Sequence, residues 1–107
     1  MEIETNTIDN YCLENNIDLI DILKIDVQGS EIEVLKGASN MLKERRIKVV
    51  YTETYFQQQY ANQPLFHDIS QFLYNHNFIL QDTYDPYYSA NSLLWCDSIF
   101  ISNYNLK

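Results

Sequence analysis

The stretch ILKIDVQGSEIEVLKGA, at residues 22–38, decides the predicted fold. Its first six residues are mainly apolar, which predicts a strand buried on both faces, as in a parallel sheet. Gly29 follows that strand, and Ser30 with Glu33 three residues later has the pattern of a capping box, which predicts a helix that continues to about Arg45. A strand followed directly by a helix is the unit from which α/β sheets are built.

The rest of the chain continues this alternation. Residues 48–55 are predicted as a second strand from their β-branched and aromatic content, and Pro64 opens a second predicted helix. Residues 78–80 and 96–101 are predicted as two further strands, and the Asp-Pro pair at 85–86 predicts a loop between them. The predicted fold class is therefore α/β, with parallel strands, helices and a closing antiparallel strand pair.

Two smaller features accompany this pattern. Residues 2–5 alternate and predict a short strand, and Thr7 is placed to cap a short helix that buries Cys12 and ends at the Asn pair 15–16. Gly37 stands inside the long predicted helix, where a glycine costs roughly 1 kcal/mol relative to alanine. A close approach of that helix to the sheet is the predicted reason for this glycine.

Composition limits the classes of partner. The 107 residues suffice for one domain, and 15 acidic against 7 basic side chains give a net charge of -8. Such a surface repels phosphate backbones and anionic lipid head groups, so neither nucleic acid nor a membrane is a predicted partner. No apolar run reaches the ~20 residues that span a bilayer, and the first residues do not have the pattern of a signal peptide, so the predicted location is cytoplasmic.

The two cysteines predict neither a disulfide nor a metal site. Cys12 and Cys96 lie far apart in the sequence and in apolar surroundings, and no Cys or His stands at metal-ligand spacing from them. They are interpreted as two reduced thiols packed in the core. No metal is predicted.

Two carboxylates are the candidate site residues. In an open α/β sheet, ligands bind beyond the carboxyl ends of the strands, and Asp26 ends the most apolar strand while Glu53 lies near the end of the next. If these strands are neighbours, mutual repulsion and partial burial raise the pKa of one carboxylate enough to make it a base. Two alternatives stay open, Asp26 as a turn carboxylate and Glu53 as an outward-facing strand residue. Glu31 and Glu33 are interpreted as first-turn acids favoured by the helix dipole.

Aromatic residues concentrate before the last predicted strand. The side chains of Tyr84, Tyr87, Tyr88 and Trp95 can line a substrate pocket, and the packing of a loop explains them equally well. The sequence does not choose between these two interpretations.

Residues 23–38 closely resemble the signature of FkbM-type methyltransferases, which reads roughly LKIDVEGxExxVLKGA. The flanking residues agree with this resemblance. The segment Thr7-Ile8-Asp9 resembles the TLD segment of that family, Glu53 resembles an acidic residue of its following strand, and Asp97-Ser98-Ile99-Phe100 resembles its closing strand.

This resemblance implies a Rossmann-like class I methyltransferase sheet that the chain enters at its fourth strand. It also implies transfer of a methyl group from S-adenosylmethionine to a hydroxyl oxygen of a sugar or other small metabolite. Asp26 would lie near the methionine end of the cofactor and near the acceptor, as general base or orienting group, with Glu53 as its neighbour across the crevice.

The sequence departs from the family pattern in two ways. Gln28 stands where the family usually has glutamate, which removes a charge beside Asp26. No glycine-rich first loop precedes the signature, so residues 1–107 are predicted to be one partial domain, the C-terminal half of the enzyme, without the strands that hold the adenosine side of the cofactor. Such a fragment is expected to be inactive alone.

Two other functions compete with this interpretation. The chain can be a non-catalytic binding or assembly fragment that pairs an exposed sheet edge with another chain. It can also be a response-regulator-like domain in which Asp26 accepts a phosphoryl group. The second is disfavoured because neither an early acidic cluster nor a lysine at the end of a later strand is found.

Overall fold

A computed structural model describes residues 7–26 and 29–103 of the chain. These residues form a layer of short helices and a four-stranded sheet. The elements are α1 (Ile8–Glu14), β1 (Ile20–Ile25), α2 (Glu31–Lys36), α3 (Ser39–Lys43), β2 (Ile47–Tyr55), α4 (Phe66–Tyr74), β3 (Phe78–Ser89) and β4 (Ser92–Ser102). The strand predicted at 2–5 and the predicted strand residue Val27 lie outside the described residues.

The sheet is mixed, with the strand order β1-β2-β4-β3. Strands β1 and β2 are parallel, whereas β4 is antiparallel to both β2 and β3. The predicted α/β class and the closing antiparallel pair are confirmed. The four strands are compatible with part of a methyltransferase sheet, and the Rossmann-like assignment stays a prediction.

The hydrophobic core lies between the helices and one face of the sheet. Along β2, Val50, Thr52 and Thr54 are buried, while the alternate residues Tyr51 and Glu53 stay partly exposed. The core cluster contains buried apolar side chains from every described helix and strand: Cys12, Ile25, Leu35, Ala38, Met41, Leu42, Ile47, Val50, Ile69, Leu73, Phe78 and Phe100. We call the side of the sheet that carries Tyr51 and Glu53 the open face.

The prediction that β1 is buried on both faces is wrong. Ile22 is 64% exposed, although Ile25 at the end of the strand is buried. Ile22 pairs with Val49, so it belongs to the open face, and among the described strands β1 lies at the edge of the sheet. An apolar strand in the sequence therefore does not guarantee cover on both sides of the sheet.

The helix predicted from Ser30 to about Arg45 is divided into α2 and α3. The predicted capping box is absent at Ser30, because its backbone (φ -115°, ψ 18°) lacks the extended conformation that lets a capping side chain reach back to the amides of the first turn. The cap predicted at Thr7 is confirmed, since its Oγ1 accepts a hydrogen bond from the Asn10 amide at 3.1 Å. Helix α1 ends near the predicted Asn pair, and Asn16 has a left-handed φ of 55°.

The break between α2 and α3 is fixed by Asp9, a residue of α1. Its carboxylate accepts hydrogen bonds from the backbone amides of Asn40 (2.9 Å) and Met41 (3.0 Å), at the N-terminus of α3. The Gly37 carbonyl accepts one from the Asp9 amide at 2.9 Å. A Cβ at Gly37 would lie 3.2 Å from the Cβ of Thr7. The close approach predicted at this glycine exists, but its neighbour is the start of α1, not the sheet.

Strands β3 and β4 form a long hairpin where the sequence predicts a loop. The Asp-Pro pair at 85–86 lies inside β3, in a segment where the register with β4 shifts between Tyr84 and Tyr87. Proline is tolerated there because β3 is an edge strand and the shift relaxes the ladder. The hairpin closes at Ala90 and Asn91, both with positive φ (50° and 66°), as in the tight two-residue turns that suit strand twist.

Two further observations bear on the predictions from composition. Cys12 and Cys96 are both free and buried, which confirms the interpretation of two core thiols. Burial, followed by the negative charge of Asp9, raises the pKa of the Cys12 thiol. Among the described residues, no helix has the length and apolar content needed to cross a membrane.

Candidate functional site

The structure places Asp26 and Glu53 at the carboxyl ends of two neighbouring strands. The parallel register pairs Ile25 of β1 with Thr52 of β2, so the next residues along the two chains are Asp26 and Glu53. Parallel strands lie about 4.8 Å apart. Asp26 is exposed just beyond the end of β1, whereas Glu53 is half-buried on the open face. The prediction that these two strands are neighbours is confirmed. The catalytic role of the two residues stays a prediction.

Glu31 is the most deeply buried carboxylate near this strand end. Its residue is 7% exposed, and its Oε2 accepts a hydrogen bond from the Gly29 amide at 3.1 Å. Burial is the main cause that raises the pKa of Glu31, and the negative charges of Glu53 and Glu33 add to it. Gly29 is therefore held by a carboxylate that lies within electrostatic range of Glu53.

Two tyrosines complete this cluster. Burial raises the pKa of Tyr55, and the charge of Glu53 and a hydrogen bond to it act in the same direction. The Tyr60 hydroxyl lies against Gly29, where no Cβ would fit, and Gly29 has a φ of 83° that side-chain-bearing residues rarely adopt. We call Gly29, Glu31, Glu53, Tyr55 and Tyr60 the strand-end cluster.

Comparison with known proteins identifies the family. The Methyltransferase FkbM domain matches residues 1–80, about three quarters of the chain. This chain belongs to the FkbM methyltransferase family. The matched residues contain all the described helices, both parallel strands and the whole strand-end cluster, so the candidate site lies within the part of the chain that the family shares.

One relative with a described activity supports the FkbM assignment. The 2-O-methyltransferase NoeI of Sinorhizobium fredii (strain NBRC 101917 / NGR234) is 35% identical over 63 residues. That match covers 59% of this chain and 25% of the relative, so the chain aligns with about a quarter of the length of the curated protein. No solved structure matches the chain.

The FkbM signature contains the signal for Glu31 that local reasoning missed. The fixed glutamate of the pattern LKIDVEGxExxVLKGA falls on Glu31. Interpreted alone, a glutamate in the first turn of a helix needs no further explanation, because the helix dipole favours it. Its burial and its bond to Gly29 depend on the path of the chain around the strand end, which the local pattern does not contain.

The two carboxylates at this strand end fit the cationic end of S-adenosylmethionine, the methyl source expected of an FkbM enzyme. Asp26 presents an exposed carboxylate at the carboxyl end of β1, and Glu53 adds a second within the neighbouring strand. Carboxylates accept hydrogen bonds from an ammonium group and stabilise positive charge. Within residues 7–26 and 29–103, no three side chains of His, Cys, Asp or Glu gather into a metal-binding group.

We expect Glu31→Gln to be more stable than the wild type at pH 7 and equal to it at acid pH. Because the folded pKa of Glu31 is raised, its neutral form stabilises the fold below the usual pKa of roughly 4.3, and that contribution is lost as the pH rises through the folded pKa. A glutamine keeps the acceptor for the Gly29 amide without the buried charge. Urea unfolding between pH 4 and 8 measures the difference.

The control for this series is Glu14→Gln, at an exposed glutamate near the end of α1. The stability difference between Glu31→Gln and the wild type should grow with pH, whereas the Glu14 variant should follow the wild type. A difference that shifts in favour of the wild type as the pH rises would contradict the assignment, because it would mean that the ionised carboxylate is stabilising.

Proposed function

We propose that this chain supplies the acceptor side of an S-adenosylmethionine-dependent O-methyltransferase that acts on a hydroxyl of a sugar or other small metabolite. The observation that carries the proposal is the position of Asp26 and Glu53 at the ends of adjacent parallel strands, within the residues that match the family. The activity of the relative, 2-O-methyl transfer, supports a hydroxyl acceptor.

The chemistry required of the protein is proton removal from the acceptor hydroxyl. When bound, S-adenosylmethionine supplies a methyl group on a positively charged sulfur. Asp26 is exposed and would accept the proton that the acceptor hydroxyl loses when its oxygen gains the methyl group and the sulfur is released as a neutral thioether, a role that typically contributes 10²–10⁴-fold. Glu53, on the neighbouring strand, adds a second carboxylate that can accept a hydrogen bond from the acceptor or from the cofactor.

Chemical-shift mapping tests the proposed cofactor contact without requiring turnover. Millimolar S-adenosylmethionine is titrated into the ¹⁵N-labelled 107-residue chain, into Asp26→Ala and into Asp18→Ala, which removes an exposed carboxylate at the other end of β1. We expect saturable shifts at residues 26, 29–31 and 53 in the wild type and in Asp18→Ala, and their loss in Asp26→Ala. Shifts confined to other residues, or none, would contradict the proposal.

The expectation that the chain is inactive alone stays a prediction. Transfer of a labelled methyl group from S-adenosylmethionine to a panel of methyl glycosides measures it directly. Turnover by the purified chain would show that these residues form a complete catalytic unit, for example by association of two copies.

A second function, assembly with another copy of the chain, is favoured by the edge of β1. The opposite edge strand β3 contains Pro86 and register shifts, which are features that protect an edge from pairing. The described part of β1 has neither, and Ile22 beside that edge is 64% exposed. If the edge pairs, sedimentation should show concentration-dependent association that Ile22→Lys weakens and Leu80→Lys on β3 does not. Sedimentation as a monomer at all concentrations would contradict this function.

A further inference from the structure

Three aromatic side chains form a row across the open face of the sheet. The strand register places Tyr55 of β2 opposite Trp95 of β4, and Trp95 opposite Tyr87 of β3. The ring centroids of Tyr55 and Trp95 are 5.4 Å apart, and those of Tyr87 and Trp95 are 4.2 Å apart in an edge-to-face arrangement. We call these three residues the aromatic row. Tyr87 is 44% exposed and Trp95 is partly exposed, so the row is accessible to a ligand.

The adjacent row on the same face is acidic. Glu53 of β2 lies opposite Asp97 of β4, two residues along each strand from Tyr55 and Trp95. The Asp97 carboxylate is fixed by a hydrogen bond from the Tyr51 hydroxyl at 2.9 Å. Two like charges directly opposite each other on neighbouring strands are unfavourable for the fold, so their position is not explained by stability. Carboxylates in this setting are acceptors for hydroxyl groups.

We propose that the aromatic row binds the ring of a neutral pyranoside acceptor, with Glu53 and Asp97 accepting hydrogen bonds from its hydroxyls. The inference rests on the proposed methyltransferase function and names the class of its acceptor. A pyranose ring presents C–H groups on its faces and hydroxyls around its rim, which matches an aromatic surface bordered by carboxylates.

The spacing of the two rows suits a ring at this position. Residues two apart on one face of a strand are separated by about 6.6–6.8 Å, which is comparable with the width of one pyranose ring. A ring stacked on Tyr55 and Trp95 therefore brings a hydroxyl to Glu53, the strand neighbour of Asp26. The acceptor would then extend from the hairpin toward the strand end where the methyl group is transferred.

Charge distinguishes this class from anionic ligands. The chain has a net charge of -8, and Glu53 and Asp97 stand beside the aromatic row, so a phosphorylated or sulfated acceptor is repelled. A cationic ligand can also lie on aromatic rings near carboxylates, and the experiment separates it from a neutral sugar. Tyr87 and Trp95 lie beyond the residues 1–80 that match the family, so their assignment to the row rests on the structure of this chain.

The fluorescence of Trp95 tests the proposal, since this is the single tryptophan of the chain and stands in the row. The purified chain is titrated with cellotetraose, maltotetraose and chitotetraose, with sorbitol as a ringless polyol and choline chloride as a cation. We expect a saturable emission change with at least one tetrasaccharide and none with sorbitol. A larger response to choline than to every saccharide, or no saturable response to any saccharide, would overturn the proposal.

Two variants locate the binding surface. Tyr87→Ala should weaken the affinity for the responding saccharide about tenfold, as expected for loss of roughly 1.4 kcal/mol of stacking. Tyr74→Ala removes an exposed tyrosine on α4 and should leave the affinity unchanged. Equal affinities in the two variants would overturn the assignment to the aromatic row. Calorimetry provides a second measurement of saccharide binding. We expect Trp95→Phe to retain binding and Trp95→Ala to lose it.

These titrations contain no S-adenosylmethionine, so they fail or succeed independently of the proposed cofactor contact. Saccharide binding without shifts at Asp26 would refute the methyltransferase site and retain a sugar-binding surface. Shifts at Asp26 without saccharide binding would retain the cofactor contact and refute the aromatic row.

Discussion

Leu73→Ala is expected to lower the free energy of unfolding by about 2–5 kcal/mol, the largest effect that we predict for a single substitution. Leu73 lies on α4 and is fully buried within the core cluster, where its side chain packs between the helices and the sheet. Truncation removes buried methyl groups and leaves a cavity, because neighbouring elements collapse only in part. Domains of this size are marginally stable, so such a loss is a large fraction of the total.

The matched control is the same substitution at the surface. Leu13 on α1 is 79% exposed, and Leu13→Ala should change the stability by less than about 0.5 kcal/mol. Urea unfolding followed by far-UV circular dichroism measures the free energy of unfolding of the wild type and of the two variants. Similar losses in the two variants would mean that α4 does not pack on the sheet as described.

The sequence predicts the elements whose signals are local. Thr7 caps α1 because its side chain reaches an amide three residues away, and both the pattern and the contact lie within one helical turn. The strand at residues 48–55 is found at Ile47–Tyr55, since β-branched and aromatic residues alternate there between a buried and a partly exposed face. The second predicted helix is found as α4, although it begins at Phe66 with Leu65 as N-cap, so Pro64 lies just before the helix and not at its first position.

The errors arise where a distant contact decides the local structure. The break before α3 depends on Asp9, which is 31 residues from Asn40 in the sequence, so no local pattern indicates it. The Asp-Pro pair at 85–86 predicts a loop, yet an edge strand with a shifted register accommodates it. The exposure of Ile22 follows from the position of β1 at the edge of the sheet, which propensity does not report.

The candidate site was also predictable only where its signals are local. The adjacency of Asp26 and Glu53 was predictable, because Asp26 follows one strand, Glu53 lies near the end of the parallel strand beside it, and ligand sites of α/β sheets gather at that edge. The burial of Glu31 was not, since it depends on how the turn at Gly29 folds back over the strand end. Two members of the aromatic row, Tyr87 and Trp95, were identified from the sequence as residues that line a pocket or pack in a loop. Their alignment with Tyr55 requires the register of three strands.

Gly29→Ala is the second large effect, with an expected loss of about 1–3 kcal/mol, mainly from the left-handed backbone and in smaller part from displacement of the Tyr60 ring. At Gly29 the backbone has a φ of 83°, and an added Cβ would collide with the Tyr60 hydroxyl. The Gly29 amide also donates to Glu31 at 3.1 Å, so a displaced turn weakens the strand-end cluster as a whole. Stability is measured by urea unfolding of the variant and the wild type.

A double-mutant cycle separates the collision from the strain. Tyr60→Ala removes the whole ring, whose hydroxyl and nearest carbons (3.0 and 3.3 Å) crowd the position of an added Cβ. Gly29→Ala should then cost only about 1–2 kcal/mol in that background, the part due to the left-handed backbone. Tyr74→Ala, at another exposed tyrosine, should leave the full cost in place. If Gly29→Ala costs the same in the wild type and in both tyrosine variants, Tyr60 does not lie over the turn. The strand-end cluster would then be open on that side, with Glu31 accessible to a bound ligand.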